Sequence, residues 1–267
     1  MIARISTSTQ AHHLTPVSEA SLLRYARFGL YATVAGLPLY VVRWHYGPLP
    51  TTLLETLIIA TVGLYAIARW REGMRRPMAT PYDIPIILLL VAGAISVLVA
   101  KDHRAALGLY RAFFVEPVAI FYVAVDLIRR SDHVQRMVVG FAIGSSAFAV
   151  VNLVIFTRAL LAHAVNVGYA PTALYGDPNY VAMYLEPPIA LAAGLLLFGP
   201  TPRWKLIGGA WLAITGPALV VMFSKGSYLA VCALVVVVLL TAPRWRLPLL
   251  AALVVTAAAA TDRKSVV

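Results

Sequence analysis

The sequence predicts an all-α, polytopic membrane protein: a bundle of about nine transmembrane helices with its N-terminus in the cytoplasm. Three observations predict it. Of the 267 residues, 61% are hydrophobic and only 12% charged, about half the charged share of a soluble domain. Apolar runs near the ~20 residues that cross a bilayer as helix recur between charged or Pro/Gly-rich breaks. Basic residues gather in those breaks, so the net charge of +11 fits positive-inside topology and gives no ground for a nucleic-acid partner. The lone cysteine, Cys232, excludes an intramolecular disulfide.

Residues 1–27 read as a cytoplasmic tail. The run at 28–42 follows Arg24 and Arg27; no small-x-small cleavage site precedes Arg43, so it reads as a retained span rather than a signal peptide. Further runs fall at 51–68, 84–100, 105–128, 136–157, 180–198, 206–223, 227–241 and 247–260, the last short and Ala-rich. Together 28–260 form one transmembrane domain, and 261–267 a tail. No strands are expected, because only helices or closed barrels satisfy their backbone in lipid. The longest polar connection is 158–179.

Alternate sides of these spans differ in charge. Arg4, Arg24, Arg27, Arg69, Arg71, Arg75, Arg76, Arg129, Arg130, Arg136, Arg203, Lys205, Arg244 and Arg246 share one side. Arg43, Lys101, Arg104, Arg158, Lys225, Arg263 and Lys264 share the other. The bias places the first side in the cytoplasm, and so puts the segments "ALYGDPNY" and "SKGS" outside.

Charges within spans are costly and usually face a bundle interior or an aqueous cavity. Asp83 and Asp126 sit at cytoplasmic ends, whereas Glu55, Arg111, Glu116 and Glu186 lie toward the outer face. Arg104 and Arg111, seven apart, share a helix face. Glu116, five from Arg111, has a poor angle for an intrahelical pair; Arg111 could instead pair with Glu116 or Glu186 on another helix. Alternatively Arg104, Arg111 and Lys225 line an outward cavity that attracts an anion, the guanidinium groups bidentate and the lysine a point charge.

Two motifs favour the second alternative. "VMFSKGSYLA" (221–230) interrupts a stretch from Leu206 to Thr241 in which Lys225 is the sole charge; it reads as a tight outer turn that Gly226 reverses. "LYGDPNYVAMYLEPP" (174–188) carries Asp177, Pro178 and Asn179, a helix start that also suits an anion. The intervening residues cross twice, returning both motifs to one side.

In these segments the chain resembles the O-antigen ligase and O-antigen polymerase family of bacterial envelope glycosyltransferases. Members carry a Pro-Asn motif of the form F-x-x-P-N-x-x-A-x-x-L, followed one helical hairpin later by Ser-Arg-Gly. Here these read "YGDPNYVAMYL" and "SKGSYLA", and "LYRAFFVEPVAIFYVA" (109–124) is similar to the family's helix with a basic residue before Glu-Pro. The resemblance covers about residues 80–241. It implies transfer of a glycan from an undecaprenyl-pyrophosphate carrier to a hydroxyl of a glycan or lipid acceptor, at the outer face of the bacterial inner membrane, with no metal and no other cofactor. Lys225 and Arg111 would then stabilise the leaving pyrophosphate as the catalytic pair. Asn179, Asp177, Arg104, Ser224 and Glu186 would contact substrate, and membrane lipids would surround the bundle. Lysine at the family's arginine gives up the bidentate fork. Members continue into further helices and a long external loop with a histidine, so the chain reads as a C-terminally truncated member. The rival reading is a transporter or flippase of a lipid-linked or anionic substrate. An intramembrane protease, with the serines of "IGSSAF" (143–148), lacks a Gly-x-Ser-x-Gly or His-Glu-x-x-His pattern.

Overall fold

The computed structural model describes residues 16–46, 49–71, 73, 79–165 and 175–242. The expected ninth span at 247–260, the tail after it, the start of the N-terminal tail and residues 166–174 lie outside these.

Helices dominate in chain order: α1 (Pro16–Ala35), α2 (Leu53–Arg71), α3 (Asp83–Val99), α4 (His103–Tyr110), α5 (Glu116–Leu127), α6 (Ser131–Leu161), α7 (Pro178–Phe198), α8 (Pro202–Val220) and α9 (Lys225–Thr241). Four stretches among the described residues are long and apolar enough to cross a membrane: Leu53–Arg71, His103–Leu127, Ser131–Leu161 and Pro178–Phe198. Asp83–Val99 and Lys225–Thr241 are shorter apolar helices. Ile84, Leu88, Leu98 and Val99 of α3 are exposed, an outward apolar face that suits lipid. The chain packs as two units, residues 1–141 and 142–267, and the boundary falls inside α6.

Two sequence expectations need correction here. Helix α1 begins at Pro16, inside the segment read as tail; proline at a first helical position costs no hydrogen bond. The helix ends at Ala35, and residues Leu37–Val41 tighten into a 3-10 turn with Pro38 at its start. No strand was expected, yet β1 (Arg43–Tyr46) and β2 (Leu49–Thr52) pair antiparallel, from Arg43 opposite Thr52 to Tyr46 opposite Leu49. Trp44, Tyr46, Thr51 and Thr52 favour extended backbone. The rule against lone strands governs backbone in hydrocarbon, whereas this hairpin is a connection between α1 and α2.

In the first unit, α1 and α2 pack through small residues. A Cβ on Gly29 would lie 2.5 Å from Thr61 Oγ1, so only glycine permits this approach, as in membrane helix pairs generally. Thr33 and Thr61 hydroxyls meet at 3.4 Å, each also donating to a carbonyl four residues back. Ala26, Val123 and Leu127 form a core with Val62 and Tyr65 packed on it. Asp126 fastens α5 to α2, accepting from the Tyr65 hydroxyl at 2.8 Å and from Arg69 Nε at 2.8 Å, and it also pairs with Arg129. Asp83 accepts from Thr80 Oγ1 at 2.6 Å and from the Tyr122 hydroxyl at 2.7 Å. On α3, Gly93 leaves room for the Tyr110 ring, whose hydroxyl donates to Leu90 O at 3.0 Å.

In the second unit, α7 and α8 form the most extensive helix pair among the described residues. Gly208 makes this possible: a Cβ there would sit 2.6 Å from Leu196 N and 2.7 Å from Ala192 O. Trp211 is buried and donates Nε1–H to Ser145 Oγ at 2.9 Å. Ser145, one of the serines weighed for proteolysis, is therefore a buried packing partner. Tyr175 is buried just before α7, its ring 4.7 Å from that of Phe148.

Candidate functional site

The second unit brings most of the expected residues to one end of its helices. Asp177 caps α7 as expected, its carboxylate accepting from Asn179 N at 2.7 Å, with Pro178 in the first turn. This satisfies a donor that has no intrahelical partner. Asn179 is exposed. After α7 descends, Thr201 caps α8, accepting from Trp204 N at 3.4 Å, and α8 returns the chain to the end at which α7 began.

The turn that follows differs from the sequence reading. Helix α9 starts at Lys225, capped by Ser224, whose hydroxyl accepts from Ser227 N at 3.4 Å. Gly226 is already helical, and the reversal falls on Phe223, with φ +54°. A left-handed phenylalanine is uncommon. It is held by ring contact with Phe156 at 6.1 Å, while the Tyr228 hydroxyl donates to Val220 O at 2.6 Å, satisfying a carbonyl at the end of α8. Ser224 is buried, and its hydroxyl oxygen accepts the capping bond.

Glu186 joins the two motifs. Its carboxylate accepts from the Ser227 hydroxyl at 2.6 Å, tying α7 to the first turn of α9. Lys225, at the first position of α9, is exposed, with no carboxylate paired to it among the described residues. The start of α9 thus lies against α7 about two turns, ~12 Å of helix rise, along from the start of α7, and each start presents unsatisfied backbone N–H groups and a partial positive charge. Below, a groove of about 410 Å³ runs between the two helices, lined by Met183, Pro187, Ala190, Ala230 and Leu234, with Glu186 at its edge. Pro187 and Pro188 withhold two backbone donors inside α7.

The first unit holds the other basic candidates. Arg104 is exposed on α4. Arg111 opens a π-helical turn, Arg111–Val115, closed by Glu116 N–H on Arg111 O. Pro117 follows, and without an N–H it cannot extend an α-helical ladder to Phe113; the wider turn takes up the mismatch. That turn also removes the angular objection to a pair five residues apart: Arg111 Nε lies 3.4 Å from Glu116 Oε1. A second ion pair joins Arg111 to Glu55 on α2. Glu55 and Glu116 are buried, their side chains 7% and 10% exposed, while Arg111 is 41% exposed. The guanidinium assigned to pyrophosphate is therefore held by two carboxylates. Sequence reading missed Glu55 as its partner, and no local spacing signals it; the Arg-x4-Glu-Pro spacing points only to Glu116.

The described residues contain no cluster of three His, Cys, Asp or Glu side chains able to hold a metal ion. Comparison with protein-family models, curated proteins and solved structures gave no match.

Proposed function

We propose that this chain is a membrane glycosyltransferase of the O-antigen ligase and polymerase type, using an undecaprenyl-pyrophosphate-linked glycan as donor. In this reading about nine spans cross the inner membrane with the N-terminus inside, and the starts of α7 and α9 face outward. The carrying observation is Lys225: an exposed ammonium with no paired carboxylate among the described residues, on the first turn of a helix tied by Ser227–Glu186 to the helix that carries Asp177-Pro178-Asn179.

In the reaction, the acceptor hydroxyl oxygen bonds to the anomeric carbon as the bond from that carbon to the pyrophosphate oxygen breaks. The leaving oxygen keeps the electron pair, and the hydroxyl proton passes to pyrophosphate or water. Lys225 and the helix N-termini stabilise the charge gained by the leaving group, an electrostatic contribution. Asn179 supplies an exposed amide beside them, and the apolar groove between α7 and α9 suits a polyprenyl chain. Glu186 acts by holding Ser227, and with it the first turn of α9.

The test is purified protein in detergent with lipid-linked oligosaccharide and candidate acceptors. Carrier-dependent product that disappears in Lys225→Ala supports the reading. One observation favours the flippase alternative: a buried carboxylate–guanidinium cluster at a π-helical turn, the kind of feature that marks pathways in transporters. Translocation of the lipid across liposomes without glycosidic product would select it.

A further inference from the structure

A second basic cluster lies in the first unit, apart from the residues assigned to glycan transfer. Arg24 and Arg27 on α1 and Arg136 on α6 line a small cavity of about 140 Å³ with Phe28 and Tyr31. The helices are brought together by Gly140, where a Cβ would meet Tyr31 O at 3.2 Å. Arg136 lies one turn before Gly140, and Arg27 one turn before Tyr31. Both therefore stand on the contacting faces, on the same side of the crossing.

The cavity is chemically incomplete as it stands. Arg27 Nε and the Tyr31 hydroxyl are buried atoms with no hydrogen-bond partner among the described residues, and orphaned polar atoms of this kind are rare in folded proteins. Three guanidinium groups in one small cavity also repel one another. Asp132 is the nearby carboxylate, but it is shared among Arg130 at 3.3 Å, His133 at 3.9 Å and Arg136 at 4.0 Å. Arg24 and Arg27 have no paired carboxylate among the described residues. At about 30 Å³ per water, the space takes one tetrahedral oxyanion.

The geometry points to a phosphate-binding site formed by Arg24, Arg27, Arg136 and the Tyr31 hydroxyl. Guanidinium forks match phosphate oxygens bidentately, and the phenol adds a donor of fixed direction. All three arginines belong to the basic side of the charge count, so the phosphate belongs either to a lipid headgroup of that leaflet or to a free cytoplasmic anion.

The experiment is calorimetric titration of the purified full chain with inorganic phosphate and, separately, with a water-soluble short-chain phosphatidylglycerol. Saturable binding of either supports the site: tighter binding of phosphatidylglycerol identifies a headgroup, and binding of inorganic phosphate alone identifies a free anion. Arg27→Gln with Arg136→Gln should lower affinity about tenfold or more, since hydrogen bonds between charged groups are the strong ones. Arg203→Gln, a basic side chain on α8, should leave it unchanged. Equal losses in both variants, or no saturable binding, overturn the proposal. Should the double variant not yield monodisperse protein, Tyr31→Phe decides: several-fold weaker binding supports the site, and unchanged binding overturns it.

Discussion

Gly208→Ala is the sharpest test of the packing that positions the candidate site. The added methyl would lie 2.6 Å from Leu196 N, 2.7 Å from Ala192 O and 2.8 Å from Leu195 Cβ. Ordinary contacts between such atoms begin near ~3.5 Å, so α7 and α8 must separate by about 1 Å. Two of the three atoms are backbone, so no rotamer change relieves the clash. Overpacking of this kind costs roughly 1–3 kcal/mol, against about 1 kcal/mol gained when alanine replaces a helical glycine. The net expectation is a loss of up to about 2 kcal/mol, and a deficit of roughly 1–3 kcal/mol against a helical Gly→Ala change that meets no neighbour. Gly194→Ala on α7 is the matched control, because a Cβ there meets nothing within 4 Å; its expected effect is neutral or up to about 1 kcal/mol stabilising. Equilibrium unfolding in mixed micelles, with the two variants side by side, reads the difference. Equal stability of the two variants would refute the close approach of α7 and α8 at Gly208.

Other outcomes follow from the same contacts. Arg111→Ala leaves two buried carboxylates without their cation and should cost about 3 kcal/mol, the low end for a broken buried pair because the guanidinium is partly exposed. Adding Glu55→Gln should restore part of that loss, and an undiminished loss in the double variant would contradict the pairing. Ser227→Ala removes the donor to Glu186 and should cost about 1–2 kcal/mol while loosening the start of α9, measured as faster amide exchange there. A cysteine at exposed Gly176 or Gly226 should react with an impermeant maleimide added outside cells, whereas one at exposed Arg71 should not; the reverse pattern would invert the proposed topology.

Much of the helical pattern was legible because apolar runs between charges obey one simple length rule. Helices α3, α7 and α9 begin within two residues of the runs read at 84, 180 and 227. The start of α7 was readable because Asp-Pro-Asn is a local capping signal with a fixed geometry. Four features were not legible, each for a physical reason. The hairpin at Arg43–Thr52 hides in a short mixed stretch whose propensities are weak beside the helices around it. The reversal at Phe223 defeats a rule that assigns positive φ to glycine, because ring contact and the Tyr228 bond hold it there. The Arg111 cluster needs both a π-helical turn and a carboxylate 56 positions earlier in the chain, and neither follows from helical periodicity. The same holds for Arg24, Arg27 and Arg136, which positive-inside counting treats as interchangeable charges although the fold gathers them.

The most direct measurement is the affinity of undecaprenyl pyrophosphate for the purified protein and for its Lys225→Ala and Lys225→Arg variants. If the ammonium at the start of α9 holds the diphosphate, alanine should weaken binding about tenfold or more, while arginine should hold it at least as tightly through its bidentate fork. An alanine variant that binds the carrier as well as the parent protein would contradict the account.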